Sequence, residues 1–357
     1  IVASLVGSEM CIRDRAVLSG EVKFYPKKYI NTYKNWMENI RDWNISRQLY
    51  WGHRIPVYYL KKDNSKFVVA KSIKEALGKF KSNFKIPNIN VDDIKQDVDV
   101  LDTWFSSWLW PISVFDGIRK PNNKDIDYYY PTSDIVTGPD ILFFWIARMI
   151  MSGFYFKNKK PFNNVYFTGL VRDDKGRKMS KQLGNSPDPI ELIENYGADG
   201  VRIGLLFSAP AGNDLLFDEK LCIQGKNFSN KIWNAFSLIN GFDLSSKKEQ
   251  TIYEITAIKW FNENLNLKIN QINQSFDKFK ISEALMTTYK LVWDDFCSTF
   301  LEIVKPSYGD KISIKTIDEI NVFFKKILSI LEPFMPFISQ ELNEKSNFLD
   351  KKLKWPD

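Results

Sequence analysis

Residues Asp134 to Met151 read DIVTGPDILFFWIARMIM, and the order of their features decides the fold class. A β-type pair, Ile135 and Val136, gives way to Gly138-Pro139-Asp140. Pro139 falls where the first turn of a helix tolerates it, because the N–H it lacks would have no partner there. Behind it Ile141, Leu142, Trp145, Met149 and Ile150 recur at helical spacing, which predicts a buried helix directly after a strand. A strand, a glycine turn and a helix N-terminus together present backbone N–H groups to an anion or a ribose. Working outward, β-type runs such as Lys66 to Ala70 and Asn164 to Val171 are separated by Gly/Pro/Asp turns and apolar helix-like stretches. From Ala16 to about Pro210 the texture is therefore α/β.

After about Ala211 long helical periods take over. Ile258, Phe261, Leu265, Ile269, Ile272, Phe276 and Phe279 are spaced by three and four, and Ile317, Ile320, Phe324, Ile327 and Leu331 repeat the pattern. Between them Ile281, Leu285, Val292, Phe296, Phe300 and Ile303 mark a further helix that Pro306 stops; Pro333 and Pro336 break the chain again before Phe337 to Leu342. Residues 211–357 thus read as an all-α bundle of antiparallel neighbours, with Lys305 to Lys315 as an exposed loop.

Composition bounds the function. The chain has 357 residues, 44% hydrophobic and 26% charged, enough for a real core and two domains rather than a disordered segment. Fifty Lys and Arg against 43 Asp and Glu leave +7, which favours a polyanionic partner, although a basic enzyme with a solvated surface has the same balance. Cys11, Cys222 and Cys297 are too scattered for a disulfide framework and form no Cys-x-x-Cys pair for zinc, which points to a reducing, cytoplasmic compartment. The longest apolar run, Ile141 to Met151, falls short of a bilayer and is interrupted by Arg148, so no membrane role is expected. Residue 1 is Ile, and residues 1–15 (IVASLVGSEMCIRDR) suit neither a signal nor a transit peptide; they are read as foreign sequence, with an N-terminal strand as the alternative.

Arg172 to Asn185 reads RDDKGRKMSKQLGN, a glycine-bearing loop with Lys175, Arg177, Lys178 and Lys181 within seven positions. Phosphoryl and nucleotidyl transfer need mainly positioned positive charge, because the reacting phosphate disperses negative charge and asks for little covalent help. Lys supplies that charge as a compact point on a flexible stem. A solvated charge run on a surface turn would have the same composition.

Context decides between these. Trp43 to Pro56 reads WNISRQLYWGHRIP and Asp99 to Pro111 reads DVLDTWFSSWLWP. With Asp134 to Met151 and the lysine segment, these resemble, in order, the second half of the catalytic domain of class I valyl-tRNA synthetases. The likeness continues through Tyr196 to Glu219 (YGADGVRIGLLFSAPAGNDLLFDE) and Asn230 to Phe236 (NKIWNAF), and more loosely to PFMPFISQEL at Pro333 to Leu342 and the terminal Trp355-Pro356. It covers about Ala16 to Asp357.

The resemblance implies roles. Lys178, Met179, Ser180 and Lys181 match the family's Lys-Met-Ser-Lys-Ser, so Lys181, with Lys178, would stabilise ATP phosphates as valine's carboxylate attacks the α-phosphate. Gln182 stands where the family has Ser, which implies altered loop mobility rather than lost chemistry. Gly138 and Asp140 match a Gly-x-Asp that meets the ATP ribose, whose two hydroxyls one carboxylate can accept from; a first-turn Asp complementing the helix dipole is an equally open account. Trp51 and Trp104 match two indoles that wall the amino-acid pocket, with Val100 as a third wall. Core packing is the competing role for any of the 11 Trp. Size exclusion cannot fully separate isosteres, which is why the family carries a separate editing site.

Departures from the family matter as much. His53 is the only histidine and reads as structural, so the family's His-x-Gly-His signature is not here, and Val22 to Trp36 looks like the exit from the editing insertion. Residues 61–96 form an insertion with lysines and asparagines where relatives place a metal knuckle, so zinc is not expected. The C-terminal coiled-coil arm is also not seen, so the helical domain reads as truncated. The resemblance therefore implies a partial Rossmann-like catalytic domain at 16–210 and a helical anticodon-binding domain at 211–357. The implied parent is a monomeric valine–tRNA ligase using ATP with Mg2+, valine and tRNA(Val), and the piece alone is expected to be inactive. An isoleucyl relative, or a non-catalytic tRNA-binding module, are the alternatives. Asp140 followed by Ile-Leu-Phe-Phe-Trp, together with Leu49, Tyr50 and His53, fits the valyl pattern better than the isoleucyl one.

Overall fold

The computed structural model describes residues 16–208, 212–346, 348 and 352–356; residues 1–15, read as foreign, lie outside them. The chain forms two compact units, one ending at Val165 and one running from Tyr166 to Asp357.

The first unit carries three small sheets. In one, Phe162–Phe167 is the central strand, flanked by Lys23–Tyr25 and Thr132–Thr137. Thr132–Thr137 delivers the chain to Gly138, and a tight turn at Pro139–Ile141, a wider π-wound turn at Leu142–Ile146 and a regular helix at Ala147–Lys157 follow. The expected strand-turn-helix is present, with its first two turns wound unlike the rest. In the second sheet Val57–Leu60 lies between Asp63–Val69 and Ile94–Gln96, antiparallel to both. The helix Ile73–Phe84 covers it, capped where Ser72 accepts from Glu75 N at 3.3 Å, and Phe80 and Ala76 pack with Tyr58, Val68 and Ile94. Residues 61–96, expected as an insertion, thus pack around the preceding strand Val57–Leu60. The third sheet is a two-residue antiparallel pair, Ser46↔Leu101 and Arg47↔Val100, which ties the Trp51 segment to the Trp104 segment.

The second unit is mainly helical. Ile252–Asp277 starts at a capping box in which Thr251 and Glu254 satisfy each other's backbone N–H groups, and it buries Phe261, Leu265, Ile269 and Ile272. Ile281–Lys290, a π-wound Leu291–Phe300 and Leu301–Val304 form one continuous run, as the apolar spacing predicts. With Ile314–Leu331 they enclose Phe261, Phe296, Phe300, Phe323 and Phe324, all at most 2% exposed; each such ring stabilises the fold by roughly 1.5–3 kcal/mol before entropy is charged. Pro336–Lys345 closes the end of the bundle, where Asp199 accepts from Ile338 N at 2.7 Å and from Phe337 N at 3.4 Å.

One expectation changes. Lys305 to Lys315 is not loop throughout: Ile312–Ser313 is buried and pairs in parallel with Leu244–Ser245, and a helix starts at Ile314. The compact units divide at Val165, so the change of texture near residue 211 lies within the second unit. The helix Ala198–Ser208 packs so closely on Glu219–Asn240 that a Cβ on Gly225 would lie 2.3 Å from the Gly200 carbonyl oxygen, so this approach needs glycine.

Candidate functional site

In the first unit the two-residue sheet sets the geometry. Val100 is 6% exposed and lies under Gly52, where an added Cβ would come within 2.8 Å of Val100 Cγ2. Trp51, on the same turn, is 89% exposed, as are its neighbours Leu49 and Tyr50 in large part. His53 is exposed, and its main-chain carbonyl accepts from Leu101 N at 2.7 Å.

Two residues beyond Val100, Asp102 caps the short helix Thr103–Ser107 by accepting from Trp104 N at 2.7 Å. Asp102 is buried and ion-paired with Arg47. Arg148 lies near this carboxylate, its guanidinium carbon 3.3 Å over the Trp43 ring and 5.8 Å from the Phe144 ring. Burial draws the Arg148 pKa down to about 10, against the pull of Asp102, so it stays charged at neutral pH; its Nη1 finds no partner. Trp104 in turn stacks on Phe144 at 5.9 Å.

Trp104 also borders a hollow of about 410 Å³ with two more indoles, Trp110 and Trp145, the side chain of Ile141, and Thr103, Ser106, Ser107 and Ser113. No ionisable side chain lines it. The Trp145 indole donates to Ser107 O at 3.2 Å, which fixes one wall. The structure therefore brings Trp104 together with the turn that holds Gly138 and Asp140, since Ile141 follows directly. Neither Trp51 nor Val100 lines this hollow, and Val100 packs under Gly52. Gly138 is extended (φ −75, ψ 148) at the helix start, and Asp140 lies exposed in the first turn. Both accounts of Asp140 fit that position.

The second unit holds the lysine segment, folded as a hairpin. Val171–Arg172 pairs in parallel with Leu215–Leu216, and Arg172 bridges back to Lys178. The hub is Asp173, 5% exposed. Its carboxylate accepts from Lys175 N at 3.1 Å, Arg177 N at 2.7 Å, Arg177 Nε at 2.8 Å and Asn185 Nδ2 at 2.9 Å. The Asn185 amide above all, and the Arg177 backbone and guanidinium, hold its pKa well below the usual carboxylate range. Gly176, at φ +76, closes the turn. Of the five cations in the segment, Arg172 pairs with Asp214 and Arg177 with Asp173, and Lys175 and Lys178 are exposed. Met179 and Ser180 are half-buried. Lys181 opens a tight turn, Lys181–Leu183, and its side chain lies outside the described structure.

Sequence reasoning missed Asp173, Asn185, Asp102, Arg47 and Arg148. An Asp four residues before an Arg across a glycine, and an Asn directly after Gly184 at φ +60, are the signals that could have pointed to the first two. Among the described residues no cluster of three or more His, Cys, Asp or Glu is placed to hold a metal ion, and no helix is long and apolar enough to cross a membrane.

Comparison with known proteins places these features in context. Residues 8–218 match the family described as tRNA synthetases class I (I, L, M and V), and residues 259–357 match the anticodon-binding domain of tRNA ligase. The valine–tRNA ligase of Christiangramia forsetii is 55% identical over 328 residues, 92% of this chain and 37% of that protein. That of Phocaeicola vulgatus is 57% identical over 326 residues, 91% of this chain and 37% of that protein. The chain thus spans 37% of the length of these relatives. Among solved structures, a ternary complex of Agrobacterium radiobacter K84 LeuRS with tRNA and LeuAMS superposes with a TM-score of 0.66 at 22% identity, covering 89% of this chain and 43% of that one. Mycobacterium tuberculosis methionyl-tRNA synthetase bound by methionyl-adenylate gives 0.64 at 16% identity, covering 94% of this chain and 61% of that one. These two likenesses concern the fold, a Rossmann-like α/β part followed by helices.

Proposed function

Because the chain belongs to the class I tRNA synthetases of the I, L, M and V group, we propose that it is the part of a valine–tRNA ligase that carries the lysine signature and the anticodon-binding helices. The reaction is activation of valine by ATP to valyl-adenylate with loss of pyrophosphate, then transfer of valine to the 3′ end of tRNA(Val). The observation that supports this most is the folded cationic hairpin. Asp173 engages Arg177 and orders the turn, and Lys178 follows directly on that ordered backbone with its side chain exposed to solvent, where a phosphate can reach it. Lys181 and Lys178 neutralise charge on the leaving pyrophosphate, an electrostatic contribution that needs placement rather than proton transfer. Met179 and Ser180 form the backbone between them. Gly138 and Asp140 take the ribose, and Trp104 walls the valine side chain, with Trp51 and Val100 contributing from the adjoining turn rather than from the hollow itself. The identity of 55–57% to valine–tRNA ligases favours valine over isoleucine.

Magnesium arrives with ATP, since it neutralises phosphate charge and is held largely by phosphate oxygens and water. The helices from residue 259 onward contact the tRNA anticodon loop, where splayed bases offer edges and faces. We place the protein in the cytoplasm as a monomer. The test is valine-dependent ATP–pyrophosphate exchange, run on this chain alone and with the remaining N-terminal portion of a relative supplied. Exchange should be absent in the first case and appear in the second, for valine and not for leucine or methionine. Absence in both, with tRNA binding retained, would instead indicate a non-catalytic RNA-binding protein.

A further inference from the structure

Asn185 lies beyond the lysine signature and reaches back across it. Its Oδ1 accepts from Ser180 N at 2.9 Å, while its Nδ2 donates to Asp173 Oδ2 at 2.9 Å and to Lys178 O at 3.3 Å. Gly184, at φ +60, makes the turn that brings the amide into place. Asp173, 95% withdrawn from solvent, holds the opposite side of the hairpin through Lys175 N and Arg177 N. One planar amide therefore fixes the backbone at both Lys178 and Ser180 and anchors it to a carboxylate whose own position is set by other bonds.

We propose that Asn185 is a positioning residue, a latch that sets the main-chain path of Lys178 to Ser180 and thereby the direction in which the signature lysines leave the backbone. The chemistry asks for an amide here. The side chain must accept from one N–H and donate to both a carboxylate and a carbonyl, which only Asn or Gln does on a single planar group. An ionised Asp would accept but not donate, and would face Asp173. Leu has the same shape and neither function. Gln182 donates its backbone N–H to Ser180 Oγ at 3.2 Å, a bond that any residue but proline can make at that place.

The latch can be read without substrate; its catalytic use rests on the function proposed above. Amide hydrogen exchange of the chain, corrected for intrinsic rates, is compared for the parent, Asn185→Leu and Asn185→Asp, with the helix Ile252–Asp277 as the control for folding. Losing the acceptor should speed exchange at Ser180 by roughly tenfold or more in Asn185→Leu at pH 7.5, with the control helix unchanged. Asn185→Asp keeps an acceptor for Ser180 N but has no donor for Lys178 O or Asp173, so its exchange should fall between those of the parent and Asn185→Leu. Exchange at Ser180 within twofold of the parent in Asn185→Leu would overturn the latch. In the complemented enzyme Asn185→Leu should lower kcat for pyrophosphate exchange by about tenfold or more and leave KM for valine unchanged. An unchanged kcat beside a strongly impaired Lys181→Ala would refute the positioning role. An unimpaired Lys181→Ala would place the error in the reading of the segment instead.

Discussion

Replacing Asp102 by Asn removes a charge from the floor of the Trp104 helix while keeping its volume. Asp102 is 6% exposed, pairs with Arg47 and faces Arg148, which is 9% exposed with one guanidinium nitrogen unsatisfied. Truncating one partner of a fully buried ion pair costs about 3–5 kcal/mol. Arg47 keeps 39% of its side chain in solvent and can turn toward water, so about 2 kcal/mol is the expected loss. At about 2 kcal/mol per molar of urea, the midpoint for the first unit falls by about 1 M. Asn still offers an oxygen to Trp104 N, so Asp102→Ala should cost about 1 kcal/mol more, the value of the cap. Arg148→Met removes a cation that is already incompletely paired and should cost less than Asp102→Asn. The assay is urea unfolding followed by tryptophan emission, with hydrogen exchange over residues 100–110 to assign the change. A midpoint for Asp102→Asn within about 0.3 M of the parent would show that the cluster carries no such strain.

Gly225→Ala forces a methyl group to 2.3 Å from the Gly200 carbonyl oxygen and should cost about 1–3 kcal/mol; an unchanged Tm in calorimetry would contradict the close helix approach. Cys297 is 6% exposed and burial pushes its thiol up to about 12. Native protein should therefore leave Cys297 unalkylated at pH 8 by mass spectrometry, and full labelling without denaturant would refute its burial. Because the folded-state value is raised above the ordinary 9.0, its contribution to stability is complete below pH 9 and is lost as pH rises toward 12. Cys297→Ala should flatten the alkaline arm of a stability–pH curve. In the complemented enzyme Trp104→Ala should blur discrimination between valine and larger amino acids; equal losses of kcat/KM for valine and isoleucine would show simple misfolding.

The sequence made the strand at Ile135, the turn at Gly138 and the helices of the second unit legible because burial imposes a period on apolar residues. That signal does not report how tightly a helix winds. Leu142–Ile146 and Leu291–Phe300 keep the spacing of an ordinary helix and are π-wound, which only the hydrogen-bond pattern reveals. The Ile312–Ser313 strand escaped notice because two residues carry no period, and its partner Leu244–Ser245 lies far away in sequence. Arg148 served only as a break in an apolar run, although its position over Trp43 and near Asp102 makes it part of the core under Trp104. Lys178, Met179, Ser180 and Lys181 were legible as a motif. The bonds that shape them were not, because Asp173 and Asn185 are polar residues in a polar stretch, and nothing in composition separates a structural amide from a solvated one. Trp51 was matched to a pocket wall by resemblance alone, and no period or burial signal in the sequence foretells that it stands 89% exposed on the turn over Val100.

In the proposed reaction the signature lysines stabilise the departing pyrophosphate. Single-turnover formation of valyl-adenylate by Lys181→Ala, in the complemented enzyme with valine affinity measured in parallel, tests it most directly. Loss of one such electrostatic contact should slow the step by roughly 100- to 1000-fold while valine binds as before. Adenylate formation at the parental rate, or a loss carried entirely by weaker valine binding, would contradict it.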